Sequence, residues 1–218
     1  MKSVVLISGG IDSTTLLYYV VRRLHEDVVA VTFQYGQRHR KEILYARHHC
    51  KLLRVPHVVI RLPKVFVSAL TSVSIDVPLE DYSVETQRIT VVPYRNTVFL
   101  SLAAAYAASH EARKVYYAAH KNDRAVYPDC RPVFVEKLNE LLKVGHYVPV
   151  EVHAPFIDMY KWDIVKLGSE LRVDYGKTWS CYLGGEVHCG LCGTCRERQQ
   201  AFKRAGIPDP TVYLHRIV

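Results

Sequence analysis

Long hydrophobic runs, internal repeats and low-complexity tracts are all missing from this sequence of 218 residues. No apolar segment approaches the roughly 20 residues that a membrane-spanning helix needs. No charged leader precedes a cleavable apolar segment, and residues 2–7 already have the composition of a core strand. We therefore expect a cytoplasmic globular protein that has no membrane partner.

Positive charge is in excess but is not concentrated in one segment. Lys and Arg outnumber Asp and Glu by 29 to 21, which gives a net charge of +8. The densest basic cluster, RHRK, spans only residues 38–41. Because the charges are dispersed, we interpret the excess as that of an enzyme that binds several phosphates. We expect no direct contact with nucleic acid.

Strand-like and helix-like segments alternate along most of the chain. The hydrophobic patterns predict strands at residues 2–7, 28–34, 57–62, 114–119 and 147–155, and helices at residues 13–25, 39–53, 64–70, 95–109, 131–145, 161–172 and 193–205. Residues 71–92 lack a clear period and are interpreted as a loop or lid. The alternation is typical of βαβ units, which form a parallel sheet covered by helices. We expect an α/β domain over residues 1–175, with a segment over residues 176–218 packed on it.

The segment SGGIDS, residues 8–13, lies between the first predicted strand and the first predicted helix. Ligands of open parallel sheets bind beyond the carboxyl ends of the strands, where this segment lies. Adjacent glycines allow a tight turn that exposes backbone N–H groups, and the helix adds the positive end of its dipole. With a serine on each side, the segment predicts a nest for phosphate or pyrophosphate. The alternative is a plain turn with Asp12 or Ser13 as the helix cap.

This segment differs from the two most familiar phosphate-binding motifs. It has neither the G-x4-G-K-[ST] spacing of the Walker loop nor the G-x-G-x-x-G spacing of dinucleotide-binding proteins. The sequence therefore predicts a phosphate site of another class.

Four of the six cysteines lie close together, at Cys181, Cys189, Cys192 and Cys195. The C-x7-C-x2-C-x2-C pattern argues for a metal site rather than a disulfide framework. Four thiolates can surround a tetrahedral Zn²⁺ and leave no open position, so we predict one structural zinc ion. An iron–sulfur cluster is the chemical alternative, and His188 is a further possible ligand.

Four other motifs lie near predicted strand or helix ends: FQYGQRH at residues 33–39, PYRN at 93–96, YPDCR at 127–131 and TWSCY at 178–182. Each of them is weak by itself. Arg95 at a helix start is a candidate phosphate contact, although an arginine there is more often a surface residue. Asp129 either lies on the ligand-binding edge of the sheet or caps the following helix.

The order of these motifs carries more information than any one of them. SGGIDS resembles the PP-loop of the N-type ATP pyrophosphatases, and the whole series, through CGLCGTCRERQQAF and GIPDPTVY, resembles the QueC-type 7-cyano-7-deazaguanine synthases. Two departures stand out. The first two clustered cysteines are one residue closer than the C-x8-C of bacterial members, and AAHKNDRAV at residues 118–126 differs from their NAVDYSG type.

The resemblance implies a Rossmann-like parallel sheet with helices on both faces, as in adenine nucleotide alpha hydrolases. It implies a ligase that turns 7-carboxy-7-deazaguanine, ammonia and ATP into the nitrile, through an adenylated carboxylate and an amide, in queuosine or archaeosine biosynthesis. A homodimer is expected by the same resemblance.

The resemblance also implies roles for individual residues. The ATP-binding set is Ser8, Gly9, Gly10, Ile11, Asp12, Ser13, Thr14 and Thr15, with Asp12 helping to hold Mg²⁺. Asp12, Arg95 and Lys161 form the catalytic set, the last two as phosphate contacts. Candidates for contact with the deazapurine and its carboxylate are Tyr35, Arg38, Asp129 and Arg131.

Two rival functions remain. A PP-loop tRNA-modifying enzyme of the thiolase type would also use the nucleotide loop, but it usually needs cysteines near that loop. A zinc-ribbon module that binds nucleic acid would need a basic, aromatic face on the cysteine-rich segment, where CRERQQAFKR is basic but short.

Overall fold

A computed structural model describes residues 2–79 and 87–216. The strands are β1 (Lys2–Leu6), β2 (Asp27–Gln34), β3 (His57–Arg61), β4 (Lys114–Tyr116) and β5 (Glu151–His153). The helices are α1 (Ile11–Arg22), α2 (Lys41–Leu53), α3 (Arg95–Ser109), α4 (Pro132–Gly145), α5 (Lys161–Glu170) and α6 (Gly193–Ala205). Short 3₁₀ turns lie at Arg88–Thr90, Lys121–Ala125, Pro128–Cys130 and Tyr175–Lys177.

The five strands form one parallel sheet in the order β3-β2-β1-β4-β5. The strand β1 lies at its centre, and its residues Val4 and Val5 are fully buried on opposite faces. The strand order reverses between β1 and β4, so the crevice beyond their carboxyl ends is where such a sheet binds ligands. The loop after β1 lies at this crevice.

Apolar side chains cover the sheet on both faces. Val4, together with Phe99 and Leu100 of α3, belongs to the core on one face. Val5 belongs to the core on the other face, with Leu17 of α1 and Ile164 of α5. Several alanines of α3 are buried and allow that helix to approach the sheet closely. The predicted α/β fold, a parallel sheet between helices, is confirmed.

The predicted short helix at residues 64–70 is wrong. The segment forms bends and turns, in which the Leu70 N–H donates to Ser68 Oγ and the Ser68 N–H donates to Thr71 Oγ1. These side-chain acceptors compete with the carbonyl groups that a helix would use. Of the predicted loop at 71–92, residues 80–86 lie outside the described residues.

The cysteine-rich segment packs against the nucleotide-loop end of the sheet. The Trp179 N–H donates to the Gly9 carbonyl at 2.9 Å. Arg198 is fully buried and donates to Thr178, Tyr175 and Asp209. The boundary between residues 175 and 176 stays a prediction. Within residues 2–79 and 87–216, no helix is long and apolar enough to span a membrane.

Candidate active site and metal centre

The SGGIDS loop makes the turn from β1 into α1 because Gly9 adopts a φ of +93°. A side-chain carbon at Gly9 would lie 2.3 Å from the Glu42 carbonyl oxygen of α2, so only glycine fits there. Gly10 is extended and precedes the first turn of α1. The serines on either side lie close together, with Ser8 Oγ 2.9 Å from Ser13 Oγ.

Hydroxyl and amide groups converge on this turn. The Ser8 N–H donates to Ser13 Oγ at 3.1 Å, and the Gly10 N–H donates to Ser8 Oγ at 3.3 Å. The N–H groups of the first turn of α1 have no partner within the helix, so they are available to an anion. The two hydroxyls can rotate and donate when an anion arrives.

The other residues of the predicted ATP-binding set point into the protein. Ile11 belongs to the core between the sheet and α5. Thr14 and Thr15 are fully buried, and Thr15 Oγ1 donates to the Ile11 carbonyl. Their side chains therefore lie on the inner face of the loop, away from the crevice.

A cavity of about 270 Å³ opens at the carboxyl ends of β1, β2 and β4. Its polar lining includes Ser8, Asp12, Ser13, Arg38, Glu42 and Arg95, and its apolar lining includes Leu6, Val31, Phe33 and Phe99. A second cavity of about 190 Å³ shares Asp12, Glu42 and Arg95 with the first and extends to Lys161, Trp179 and Glu197. The cysteine-rich segment thus forms one wall of the second cavity.

Asp12 lies between two cations. Its Oδ2 is 3.2 Å from Lys161 Nζ and 3.6 Å from His120 Nε2. Burial would raise the pKa of this carboxyl, but Lys161 and His120 outweigh burial and hold the pKa well below its ordinary value. Asp12 is therefore ionised at neutral pH. Its other oxygen, Oδ1, is buried and has no hydrogen-bond partner among the described residues.

Lys161 joins this carboxylate to another one. Its Nζ lies 2.6 Å from Glu197 Oε2 on α6, and the side chains of Lys161 and Glu197 are both buried. Burial would lower the pKa of Lys161, but Asp12 and Glu197 raise it. A fixed positive charge therefore lies at the start of α5, beside the nucleotide loop.

His120 completes the network behind Asp12. It is 1% exposed, and its Nε2 lies 3.2 Å from Asp123 Oδ2. Burial would lower the pKa of His120, but Asp123 and Asp12 raise it to about 9. His120, Asp123 and Glu197 are close enough to share a cation. However, a histidine that is itself protonated at neutral pH makes a poor metal ligand.

Arg95 is the first residue of α3 and lines both cavities. Burial would lower its pKa, but Tyr35 and Asp129 raise it. Tyr35 is buried at the end of β2 and lines the first cavity. Arg95 therefore offers a permanent positive charge to a ligand in either cavity.

Three of the predicted substrate residues are engaged with the protein itself. Arg38 lines the first cavity, but its guanidinium donates to the backbone carbonyls of Ser72, at 2.8 Å, and Ile75. The Asp129 carboxylate accepts the Asn96 N–H at 3.2 Å, so it satisfies a free donor at the start of α3. Arg131 is exposed and donates to the Arg124 carbonyl at 2.9 Å. The roles of these residues stay predictions.

Sequence reasoning missed four residues of this site: Glu42, His120, Asp123 and Glu197. His120 and Asp123 follow β4, at the same sheet edge as the nucleotide loop, and that placement is a signal that the sequence contains. Glu197 lies two residues after Cys195, in a segment whose cysteine spacing indicates only a metal site. Glu42 follows the basic cluster RHRK in the first turn of α2.

The four clustered cysteines form a compact sulfur site. Cys181, Cys189, Cys192 and Cys195 are all buried, and their sulfur atoms lie within 4.8 Å of one another. The sulfurs of Cys189 and Cys195 are 3.9 Å apart, close to the roughly 3.8 Å expected between ligands of a tetrahedral zinc ion with Zn–S bonds of about 2.3 Å. The donor set therefore fits one tetrahedral metal ion. His188 lies outside the set, because its Nε2 accepts the Ser180 N–H at 3.0 Å.

Comparison with known proteins decides between the readings of this site. A family model described as queuosine biosynthesis protein QueC matches residues 2–206. The chain belongs to the QueC family. It is 48% identical over 216 residues to the 7-cyano-7-deazaguanine synthase of Caldicellulosiruptor saccharolyticus, which covers 98% of this chain and 96% of that protein. The Archaeoglobus fulgidus synthase is 48% identical over 215 residues, covering 96% of this chain and 89% of that protein.

The function of the chain is that of the QueC family, the ATP-dependent ligase reaction that makes 7-cyano-7-deazaguanine in queuosine biosynthesis. This result favours the synthase over both the thiolase type and the zinc-ribbon module. Among solved structures, the U34-tRNA thiolase NcsA from Methanococcus maripaludis with its [4Fe-4S] cluster has a TM-score of 0.55 at 16% identity, covering 94% of this chain and 67% of that chain. At this identity the likeness describes the fold alone.

Proposed function

We propose that the chain uses ATP to join ammonia to the carboxylate of 7-carboxy-7-deazaguanine and then dehydrates the amide to the nitrile. A carboxylate conjugated to an electron-rich pyrrole ring is a poor electrophile, and ammonia alone does not displace its oxygen. Attack of the carboxylate on the α-phosphorus of ATP gives an acyl adenylate and releases pyrophosphate. A second activation, at the amide oxygen, permits loss of water. The nitrile then serves queuosine or archaeosine biosynthesis.

The observation that carries this proposal is the position of the glycine loop. It opens onto a cavity that continues past Asp12 to Arg95, so phosphates, nucleoside and a second substrate have connected space. Fixed donors aimed at a leaving group that gains negative charge lower the barrier to its departure.

Each candidate residue receives a role from its place around the cavity. Ser8, Gly9, Gly10 and Ser13 bind pyrophosphate, and Lys161 and Arg95 neutralise the phosphate charge. Tyr35 and Arg38 line the cavity, where they contact nucleoside or deazapurine. Asp129 acts through the start of α3, which holds Arg95. Arg131 lies at the surface, so any substrate role for it requires movement of the segment before α4.

Two metal ions belong to this proposal. The buried Oδ1 of Asp12, which has no hydrogen-bond partner in the part of the chain that the structure describes, fits a ligand of the Mg²⁺ that accompanies ATP. The four cysteines would hold Zn²⁺, whose chemistry is structural because the sulfur shell leaves no open position. The zinc ion would fix residues 176–218 against the domain formed by residues 1–175. We further propose that the protein works as a homodimer in the cytoplasm.

Mass spectrometry of the products tests the proposed reaction. The protein is incubated with 7-carboxy-7-deazaguanine, ATP and ammonium, and we expect the nitrile, AMP and pyrophosphate. The variant Asp12→Asn keeps the shape of the side chain but removes its charge, and it should form no nitrile while it remains folded. Full activity of Asp12→Asn would refute the role of that carboxylate, and absence of the nitrile with the wild-type protein would refute the reaction.

A further inference from the structure

Glu42 lies where the two cavities meet. It is one of the residues that line both of them, together with Asp12 and Arg95. Its position is fixed by backbone packing, because its carbonyl group lies directly against Gly9 of the nucleotide loop. The first turn of α2 is therefore packed closely against the nucleotide loop.

Within residues 2–79 and 87–216, the Glu42 carboxylate differs from those of Asp12 and Glu197 in lying in no ion pair. Asp12 and Glu197 both face Lys161, at 3.2 and 2.6 Å. Among the residues that the structure describes, by contrast, none donates a hydrogen bond to the Glu42 carboxylate or pairs with it. Glu42 is partly buried and lines both cavities, so its carboxylate can accept a hydrogen bond from a ligand that occupies their junction.

The electrostatic surroundings of Glu42 suit proton transfer. Burial raises the pKa of Glu42 to about 7, and the nearby charge of Arg95 only partly offsets this effect. Tyr35 at the end of β2 also faces Glu42, and Arg38, His39 and Asp12 line the same cavity. A group whose pKa lies near the working pH can both accept and release a proton.

We propose that Glu42 binds the ammonium ion and is the general base that converts it to ammonia for attack on the activated carboxyl carbon. The inference rests on the proposed function. If the nucleotide and the deazapurine occupy the connected cavities, the α-phosphorus and the carboxyl carbon must meet at their junction, where Glu42 lies. If the role of Glu42 were to accept hydrogen bonds from the deazapurine ring, we would expect it to lie far from the nucleotide loop, whereas it lies against Gly9.

The proton and electron balance of the step is simple. Ammonium gives one proton to the Glu42 carboxylate, and the freed electron pair on nitrogen forms the carbon–nitrogen bond. The bond between the carboxyl carbon and the AMP oxygen breaks, and its electron pair leaves on the phosphate. The nitrogen then loses a second proton to solvent, and the amide and AMP result.

The variant Glu42→Gln separates this step from the activation step. Activation is measured as exchange of labelled pyrophosphate into ATP that depends on 7-carboxy-7-deazaguanine, without ammonium. Amide and nitrile formation is measured with ammonium at neutral pH. We expect exchange to stay near the wild-type rate and product formation to fall about 100-fold or more, the usual contribution of a general base. The control variant is Glu140→Gln, a surface change at an exposed pair with Lys137.

Hydroxylamine provides the sharper test, because it is already neutral at neutral pH and needs no base before it attacks. We expect Glu42→Gln to form the hydroxamate at close to the wild-type rate, and its defect with ammonium to shrink as the pH rises. Product formation from ammonium at the wild-type rate would overturn the inference. Equal loss of exchange and product formation, or a raised KM for the deazapurine alone, would also overturn it.

Two further measurements distinguish a failure of this inference from misfolding of the variant and from a failure of the proposed function. If Glu42→Gln does not fold, Glu42→Asp carries the test: it should slow amide formation more than exchange, and equal effects on both would overturn the inference. If the wild-type protein shows no substrate-dependent exchange, the proposed function itself fails, and the inference fails with it.

Discussion

Lys161 Nζ lies 2.6 Å from Glu197 Oε2, and this contact joins the cysteine-rich segment to the nucleotide loop. Glu197 follows Cys195 on α6, whereas Lys161 begins α5 and faces Asp12 of the loop. Anything that orders the four cysteines therefore also fixes the start of α6 and the position of a cation beside the nucleotide loop. The four-cysteine site and the candidate active site are thus joined through α6 and the charged contacts of Lys161.

Glu197→Gln should weaken this network without creating a cavity. Loss of one partner from a buried ion pair costs about 3–5 kcal/mol, because the remaining charge stays buried. Asp12 stays beside Lys161 and offsets part of that cost. We expect a lower free energy of unfolding in urea and a higher KM for ATP. The exposed change Glu140→Gln should alter neither quantity, and identical unfolding curves for Glu197→Gln and Glu140→Gln would contradict the prediction.

Gly9→Ala should damage the nucleotide loop directly. Its φ of +93° is strained for any residue with a side chain, and the added carbon would meet the Glu42 carbonyl at 2.3 Å. Backbone strain of this kind costs roughly 1–2 kcal/mol, and the contact adds to it. We expect a lower melting temperature and loss of the stabilisation that ATP gives the wild type.

Gly145→Ala is the matched control for the glycine prediction. Gly145 ends α4, and an added carbon there meets nothing within 4 Å. At a compatible position this change usually stabilises a protein by about 0.4–1 kcal/mol. Equal melting temperatures and equal stabilisation by ATP for Gly9→Ala and Gly145→Ala would contradict the prediction. The close packing of α2 on Gly9 would then not determine the conformation of the nucleotide loop.

The fold could be predicted from the sequence because its signals are local. The apolar runs of β1 and β2 and the alternation with helices predict a parallel sheet, and the helical pattern predicts α6 at the bounds that it has in the structure, Gly193–Ala205. The predicted helix at residues 64–70 is wrong because the hydroxyls of Ser68 and Thr71 accept hydrogen bonds from backbone N–H groups that a helix would pair with carbonyl groups.

Only those parts of the candidate site that belong to a motif of characteristic spacing could be predicted from the sequence. The nucleotide loop and the four cysteines have characteristic spacings. By contrast, Glu197 meets Lys161 across 36 residues, and Asp12 meets His120 across more than a hundred. No local pattern encodes such pairs, because they depend on how α6 and the segment after β4 pack around the sheet.

His120 should make stability depend on pH in the alkaline range. Its pKa is raised to about 9 in the folded protein, above the value of about 6.5 in an unfolded chain. The resulting stability is fully present below pH 6.5 and is lost as the pH rises through 9. A pKa raised from about 6.5 to about 9 corresponds to about 3 kcal/mol of stability. Asp12 does not interfere, since its pKa is lowered and its contribution is lost only in acid.

Urea unfolding of the wild type and of His120→Asn at pH 6, 7.5 and 9.5 measures this effect. We expect the difference in unfolding free energy between the two proteins to shrink across this series. A difference that stays constant with pH would mean that His120 is neutral in the folded protein and that Asp12 is paired with Lys161 alone.

Cys192→Ala should remove the metal and loosen the wall of the second cavity. Cys192 is fully buried and immediately precedes α6, so its loss affects both the sulfur site and the start of the helix that carries Glu197. Metal binding free energy is also folding free energy in such sites. We expect loss of metal by elemental analysis, a lower melting temperature and faster amide exchange across residues 178–198.

Cys50→Ala separates the metal from the ordinary effect of losing a buried thiol. Cys50 is as deeply buried but lies on α2 in the core, outside the sulfur site. This variant should keep its metal and lose only the small stability that a shortened core side chain contributes. The visible spectrum of the wild type identifies the metal, because zinc thiolate is colourless and an iron–sulfur cluster is brown. If Cys192→Ala kept its metal and exchanged its amide hydrogens at the same rates as Cys50→Ala, Cys192 would be an ordinary core residue. A metal at the four cysteines would then not be what orders α6 and the contact of Glu197 with Lys161.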